Sequence, residues 1–205
     1  MPIVNSEDIY NYGTENRVNK LKNILTKRQK TITIVIENVV DPHNFSACLR
    51  SCDAVGILEV YLLYHSGQPC PASNKTSSAS ANKWINLKKF TSVNDCFDEL
   101  HKDGKKIYTT HLSSQSISLY DLDLTENIAL VFGNEHSGVS EEALKLADGN
   151  FLIPQIGVIQ SLNISVACAV SVFEAYRQRQ TKGHFNTPEL SENHINIILK
   201  DWLLK

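Results

Sequence analysis

Three short polar clusters hold the side chains of this sequence that could do chemistry. They are DPHNFSACLR at 41–50, GNEHSG at 133–138 and QSLN at 160–163. Their candidate site residues are an arginine, a carboxylate, two carboxamides and a hydroxyl: Asn44, Arg50, Glu135, Ser161 and Asn163. Ser161 and Asn163 stand where a long apolar helix is predicted to begin, and the free backbone N–H groups of a helix start attract anions and polar ligand atoms. The third cluster therefore predicts a place where a polar ligand binds.

Each of these side chains also has an ordinary structural interpretation. Asn44 could only cap the next helix, Arg50 could form a surface ion pair, and Glu135 could be a solvated loop acid. Ser161 alone could cap the helix that follows it. The neighbours of Arg50 are small or apolar, so we expect a mostly buried helix in which Arg50 needs a partner. Glu135 directly follows an apolar run, and acids at strand ends often face a pocket.

Several familiar chemistries lack their sequence signals. The chain has no glycine pair with GxG spacing, no Walker-type loop and no GxSxG elbow, and its seven histidines do not have metal-ligand spacing. These observations argue against hydride transfer, nucleotide hydrolysis and zinc chemistry.

The polar clusters are separated by alternating strand and helix patterns. Strands are predicted at 31–38, 58–64, 105–112, 128–134 and 150–154. Helices are predicted at 14–29, 45–55, 92–101, after Ser140, at 162–176 and at 189–204. A long loop rich in Ser, Asn and Pro fills 65–82. This alternation predicts an α/β fold with a mainly parallel sheet and helices on both faces.

Ligands of such sheets bind outside the carboxyl ends of the strands, and all three clusters are predicted to lie at that edge. The helix at 162–176 is apolar nearly all round, which is typical of a helix buried in a core or in a subunit interface.

Composition and length indicate an ordinary soluble protein. The chain has 205 residues, which suggests one domain, and 42% of them are hydrophobic. It begins without a basic and apolar leader, and no apolar run reaches about 18 residues. Its five cysteines are odd in number and lack CxxC spacing, so we expect buried reduced thiols and a cytoplasmic location.

The basic residues are unevenly distributed although the net charge is only -2. Residues 17–30 hold six Lys or Arg, residues 75–89 hold four and residues 177–184 hold three, without an acid in any window. Each window could be a solvated face. Together they favour a surface that follows the phosphates of a polyanion.

The chain resembles the SpoU/TrmH branch of the SPOUT RNA methyltransferases in three motifs. NVVDPHNFSACLRSCDAVG, ALVFGNEHSGVSEE and IPQIGVIQSLNISVACAVSVFEAYRQR are similar to the three family motifs and occur in the family's order. A basic N-terminal helix, the pair Lys83-Trp84, the segment TTHLS and a C-terminal helix extend the resemblance over almost the whole length. It departs from the family at Gln155, where Met is common, at His136, where Trp is frequent, and at Ser46, where Gly is common.

The resemblance implies a trefoil-knotted SPOUT fold, a homodimer and S-adenosyl-L-methionine as methyl donor. The implied reaction is 2′-O-methylation of RNA ribose without a metal, with guanosine 18 of the tRNA D-loop as target. The alternatives are ribosomal RNA or another tRNA position, a non-catalytic RNA-binding protein, and a small-molecule methyltransferase. The implied organisation is a helical extension at 1–30, a methyltransferase domain at 31–180 and a second helical extension at 181–205.

The resemblance also implies roles for individual residues. Arg50, Asn44, Glu135, Ser161 and Asn163 would be catalytic. We expect Arg50 to clamp a phosphate and stabilise a developing alkoxide, because a guanidinium does not deprotonate near neutral pH. The implied donor pocket consists of Thr110, His111, Leu112, Gly133, Ile153, Gln155 and Leu162. The expected RNA contacts are Arg17, Lys20, Lys27, Lys83, Arg177 and Arg179.

Overall fold

The computed structural model describes residues 12–65, 67, 69–71 and 83–205 of the chain. Within this part the helices are α1 Glu15–Leu25, α2 Pro42–Ala54, α3 Val93–Lys102, α4 Glu141–Leu146, α5 Ile164–Thr181 and α6 Glu192–Leu203. The strands are β1 Gln29–Glu37, β2 Ile57–Leu63, β3 Asn86–Phe90, β4 Lys106–Thr110, β5 Ile117–Ser118, β6 Ile128–Phe132 and β7 Gly149–Leu152. Three predicted features lie partly outside the described residues. They are the loop at 65–82, the second basic window over its residues 75–82, and the N-terminal extension over its first eleven residues.

The strands form one seven-stranded sheet in the order β3-β2-β1-β6-β4-β7-β5. Every strand pairing in it is parallel, which confirms the predicted fold class. β1 and β6 are central and carry β-branched and apolar residues on both faces, as strands covered by helices on both sides require. The trefoil knot stays a prediction.

Two apolar layers cover the sheet. On one face, α2 and α5 pack their buried residues against the isoleucines of β1, which point to that side. On the other face, α3 and α4 pack against Val35, Tyr61 and Val131. The sheet therefore holds α2 and α5 side by side, and these are the helices that carry the first and third polar clusters.

The two terminal helices pack against each other below the amino-terminal end of the sheet. Val18, Leu21 and Leu25 of α1 form a third apolar cluster with residues of α6 and with Leu58. Trp202 of α6 also lies under the Arg28 guanidinium, 5.2 Å from ring centroid to Cζ. The domain boundaries predicted at 30 and 180 stay a prediction.

Two strands were not predicted from the sequence. β3 and β5 lie at the two edges of the sheet, and their half-exposed polar residues give no clear alternation. The other elements agree with prediction to within a few residues, except that α5 runs on to Thr181.

All five cysteines are free thiols, and Cys48, Cys52, Cys96 and Cys168 are buried. Burial raises the pKa of Cys96 to about 12, so this thiol stays protonated. Among the described residues, no helix combines the length and apolar character needed to cross a membrane.

Candidate functional site

A chain of hydrogen bonds joins the three polar clusters at the carboxyl edge of the sheet. Asn44 Nδ2 donates to Glu135 Oε1 at 2.8 Å, and Asn163 Nδ2 donates to Asn44 Oδ1 at 3.1 Å. Asn163 Oδ1 in turn accepts from the backbone N–H of Ser165 at 2.8 Å. Segments that are about ninety to one hundred and twenty residues apart in sequence thus meet in one polar network.

The helix caps differ from those considered in the sequence. Asp41, not Asn44, caps α2, and its carboxylate accepts from the backbone N–H of His43 at 2.7 Å. Asn44 lies inside the first turn, so its side chain is free to bridge Glu135 and Asn163. The interpretation of Asn44 as only a cap is therefore wrong.

Asn163 caps α5, and Ser161 does not. Ser161 is exposed two residues earlier and lines the cavity described below. The alternative interpretation in which Ser161 alone caps the helix is wrong, because Asn163 holds the cap position with its own side-chain oxygen.

A tight hairpin at 134–138 follows β6. The backbones of Asn134 and Gly138 exchange two hydrogen bonds of 2.9 Å, which fold the hairpin back over Gly133. A Cβ atom on Gly133 would lie 2.2 Å from the backbone of Gly138 and Val139, so only glycine fits there. The hairpin presents Glu135 to Asn44.

A cavity of about 590 Å³ opens beside this hairpin. It is bounded by the hairpin, by the ends of β4 and β7, and by the start of α5. All seven residues predicted for the donor pocket line it: Thr110, His111, Leu112, Gly133, Ile153, Gln155 and Leu162. Glu135, Ser161 and Asn163 line it too. Its volume lies within the range of about 300–1,000 Å³ that is typical of small-molecule sites.

Other residues near the site were missed by sequence reasoning. Phe132, Gln160 and Ala167 also line the cavity. Glu37 is a buried carboxylate that accepts from the backbone N–H of Ser140 at 3.0 Å and contacts the His65 ring at 2.7 Å. An acid at the end of an apolar strand was the available signal for Glu37, as it was for Glu135.

Arg50 is exposed on α2 and does not line the cavity. No hydrogen bond or ion pair joins its guanidinium to any other residue that the structure describes. Arg50 therefore has no partner among the described residues, because the buried side of α2 is formed by Phe45, Cys48, Leu49 and Cys52 instead, and a partner from a ligand stays a prediction. The guanidinium is thus available to a ligand, and its catalytic role stays a prediction.

Five of the six predicted RNA contacts are exposed. Arg17, Lys20, Lys27, Lys83 and Arg177 all lie on the surface. Lys27 donates to the carbonyl of Phe185, and Arg177 forms a two-point ion pair with Glu174 at 2.7 and 2.8 Å. Their contact with RNA stays a prediction.

Arg179 is the exception, because its side chain is only 1% exposed. Its guanidinium donates to the carbonyls of Leu124 and Glu126 and to the hydroxyl of Thr31, at 2.7 to 2.8 Å. Burial lowers its pKa to about 10. The prediction that Arg179 contacts phosphate is wrong, since it ties α5 to the amino-terminal end of the sheet.

Arg177 and Arg179 provide a matched pair of variants. Arg179→Met should lower the free energy of unfolding by about 1–3 kcal/mol, because buried carbonyls lose their donor. Arg177→Met should destabilise the protein less than Arg179→Met, because the buried Glu174 keeps its hydrogen bond from Gln178, and should reduce the salt dependence of RNA binding by about one phosphate contact. Urea unfolding and filter binding across a salt series measure the two effects. The assignment fails if Arg177→Met unfolds more easily than Arg179→Met.

The outer face of α5 is apolar and uncovered in the single chain. Val166 and Phe173 are 46% and 51% exposed, whereas Ile164, Cys168 and Val172 are buried. Only one side of α5 is therefore buried in the core.

Comparison with known proteins gives a consistent result. The family model described as SpoU rRNA Methylase family matches residues 31–173. A tRNA (guanosine(18)-2′-O)-methyltransferase of Thermus thermophilus is 43% identical over 192 residues, covering 94% of this chain and 98% of the relative.

Solved structures show the same fold. The crystal structure of the A. aeolicus TrmH/SpoU tRNA modifying enzyme superimposes with a TM-score of 0.83 at 38% identity, covering 93% of this chain and 96% of that one. The SpoU methyltransferase AviRb from Streptomyces viridochromogenes, in complex with the cofactor AdoMet, shares the fold with a TM-score of 0.63 at 24% identity, covering 73% of this chain and 58% of that one.

Proposed function

The chain belongs to the SpoU rRNA methylase family, and on that premise we propose that it methylates the ribose 2′-hydroxyl of guanosine 18 in the D-loop of tRNA, with S-adenosyl-L-methionine as donor. One observation carries the proposal: Asn44, Glu135 and Asn163, from three separate motifs, form one hydrogen-bonded network beside a cavity of suitable size. The tRNA specificity is supported by the full-length similarity to a methyltransferase named for that nucleotide. We expect the protein to act on tRNA in the cytoplasm.

The cavity fits the methyl donor by its lining. Leu112, Ile153 and Leu162 line the cavity and would form apolar walls for an adenine ring, while backbone polar groups at this edge would pair with its nitrogens. Bound S-adenosyl-L-methionine supplies a methyl group that its sulfonium already activates. The protein must then align the attacking oxygen and exclude water, which explains a site with few charged side chains.

The polar network positions the groups that would surround the ribose. Glu135 holds the Asn44 amide, and Asn44 holds the Asn163 amide, so the start of α5 is fixed against α2. Ser161 is exposed at the cavity and can donate to a substrate oxygen. Arg50 would bind the phosphate beside the target ribose and stabilise negative charge that develops on the 2′-oxygen.

A homodimer would cover the apolar surface of α5. Val166 and Phe173 are exposed on α5, and Ile156 and Val158 are fully exposed in the loop before the helix. An apolar surface of this kind is typical of a subunit interface. We expect a second copy of the chain to pack on it.

The dimer can be tested with Phe173→Glu. A carboxylate buried without a partner opposes association, so we expect the dissociation constant of the dimer to rise by about tenfold or more. Leu204→Glu is the control, because Leu204 is 68% exposed near the chain end and lies outside this surface. Sedimentation velocity measures both variants. A Phe173→Glu protein that sediments like the wild type would contradict the interface.

Methyl transfer from tritiated S-adenosyl-L-methionine to an unmodified tRNA transcript tests the function. We expect incorporation at the 2′-oxygen of guanosine 18 and none into a transcript with 2′-deoxyguanosine at that position. Ribosomal RNA and a small-molecule extract serve as competing acceptors. Labelling of either in preference to tRNA would overturn the proposed substrate, and RNA binding without any labelling would indicate a non-catalytic binding protein.

A further inference from the structure

The hairpin at 134–138 is hydrogen-bonded on both sides of the connection between β1 and α2. At its beginning, Asn134 Nδ2 donates to the backbone carbonyl of Asn38 at 2.8 Å. Beyond its other end, in the first turn of α2, Asn44 Nδ2 donates to Glu135 Oε1 at 2.8 Å. Two adjacent hairpin residues therefore hold two points that are six residues apart, Asn38 directly after β1 and Asn44 in the first turn of α2. Movement at the first link would shift Glu135 at the second.

Both polar atoms of the Asn134 side chain form hydrogen bonds in this arrangement. Its Oδ1 accepts from the backbone N–H of His136 at 2.9 Å and of Ser137 at 3.2 Å, which shapes the hairpin turn. Its Nδ2 makes the link to Asn38. The same amide group thus forms the turn and attaches it to β1.

Asn38 offers a fixed acceptor. Its backbone N–H donates to the carbonyl of Leu63, and its Oδ1 accepts from the backbone N–H of His65 at 3.1 Å. Its φ of 54° is left-handed, and among the described residues it is the one non-glycine with positive φ. Such a conformation persists only where surrounding contacts determine it. The carbonyl that receives the Asn134 amide is therefore held by β2 as well as by β1.

We propose that Asn134 is a positioning residue for the transfer reaction. Its amide locks the hairpin to Asn38, and this lock sets Glu135 against Asn44 and fixes one wall of the donor cavity. The inference rests on the proposed function for its catalytic consequence. Its structural part, the dependence of the Glu135–Asn44 contact on Asn134, can be measured without any turnover.

Two variants distinguish the hydrogen bond from Asn134 to Asn38, which is the lock, from the hydrogen bonds that Asn134 makes within the turn. Asn134→Ser keeps an oxygen for the turn and removes the Nδ2 group that donates to Asn38. Asn134→Asp keeps the oxygen and places a carboxylate against the Asn38 carbonyl, where only its protonated form can donate. We expect both variants to lower kcat by about 10–100-fold, as a displacement near 1 Å does, while KM for tRNA changes by less than about threefold.

The pH dependence of activity distinguishes loss of the Asn134–Asn38 hydrogen bond from a general structural defect. Because the neutral acid alone can donate to Asn38, the pKa of the new carboxyl should be raised. The activity of Asn134→Asp relative to wild type should therefore recover as the pH is lowered through that pKa. Asn134→Ser should show no such recovery.

Asn127→Ser is the matched control at the other end of β6. Asn127 also donates from Nδ2 to a backbone carbonyl, that of Asp103 at 2.7 Å, but it lies away from the cavity. We expect this variant to change stability and to leave kcat within about threefold of wild type.

The side-chain amide signals of Asn44 in ¹⁵N-correlated NMR spectra report the contact directly. We expect them to shift in both Asn134 variants and not in Asn127→Ser. The inference is overturned if they stay in place, or if folded Asn134→Ser keeps the kcat of an active wild type. A wild type that methylates no RNA would refute the proposed function instead, and the NMR result would still decide the inference.

Discussion

Arg50→Ala should lower kcat for tRNA methylation by about 10²–10³-fold, the usual cost of removing one group that stabilises transition-state charge. The melting temperature should hardly change, because Arg50 is exposed and bonds to no other described residue. Arg50→Lys should also be impaired, since an ammonium cannot reproduce the planar two-point contact of a guanidinium with phosphate. Single-turnover methylation at saturating RNA measures the effect.

Lys102→Ala is the charge-matched control for this prediction. Lys102 is exposed at the end of α3, on the opposite face of the sheet from α2. Its removal should leave single-turnover rates unchanged. Near-normal rates for Arg50→Lys would show that the guanidinium neither clamps the phosphate nor stabilises the alkoxide.

Gly133→Ala should weaken binding of S-adenosylhomocysteine by about a hundredfold. The new Cβ would lie 2.2 Å from backbone atoms of Gly138 and Val139, whereas ordinary contact begins at 3.4 Å, so the hairpin must move by about 1 Å. That movement displaces a wall of the donor cavity. Isothermal titration calorimetry measures the affinity, and urea unfolding should show a loss of about 1–3 kcal/mol.

Gly157→Ala is the glycine control. A Cβ atom on Gly157 would meet no atom within 4 Å, so donor binding should not change. If Gly133→Ala bound the donor analogue as tightly as Gly157→Ala does, the hairpin would not be the wall that we describe.

The features that depend on nearby residues were predictable from the sequence. The helices predicted at 92–101 and after Ser140 are α3 and α4, and Ser92 and Ser140 cap them, each accepting a backbone N–H three residues on at 3.2 Å. The β-branched run at 31–38 correctly indicated the strand β1, and the apolar run at 128–134 correctly indicated a strand, β6, that is buried on both faces. These signals are local, so periodicity and capping chemistry suffice to read them.

Features set by tertiary packing were not predictable in the same way. Arg177 and Arg179 stand two residues apart in a basic window, yet one is exposed and the other is buried among carbonyls from distant segments. The helix rotates by about 100° per residue, so residues two apart point in different directions, but the buried side depends on the sheet. The surroundings of Arg50 were mispredicted for the same reason.

The residues of the site came from motif resemblance, and their connections came from the fold. The resemblance supplied Asn44, Glu135 and Asn163, but not the hydrogen bonds that join them. Asn38 and Asn134 carried no separate sequence signal, because their importance lies in which backbone carbonyl meets which amide. Contacts of this kind depend on the register of β1 against β6.

The position of β6 in the sheet has a consequence for biosynthesis. β1 pairs with β6, which emerges from the ribosome roughly one hundred residues later, at about 5–20 residues per second. β1, whose isoleucines belong to the apolar core, therefore waits on the order of 5–20 s for its partner. During that interval its unpaired edge is open to chaperones and to neighbouring nascent chains.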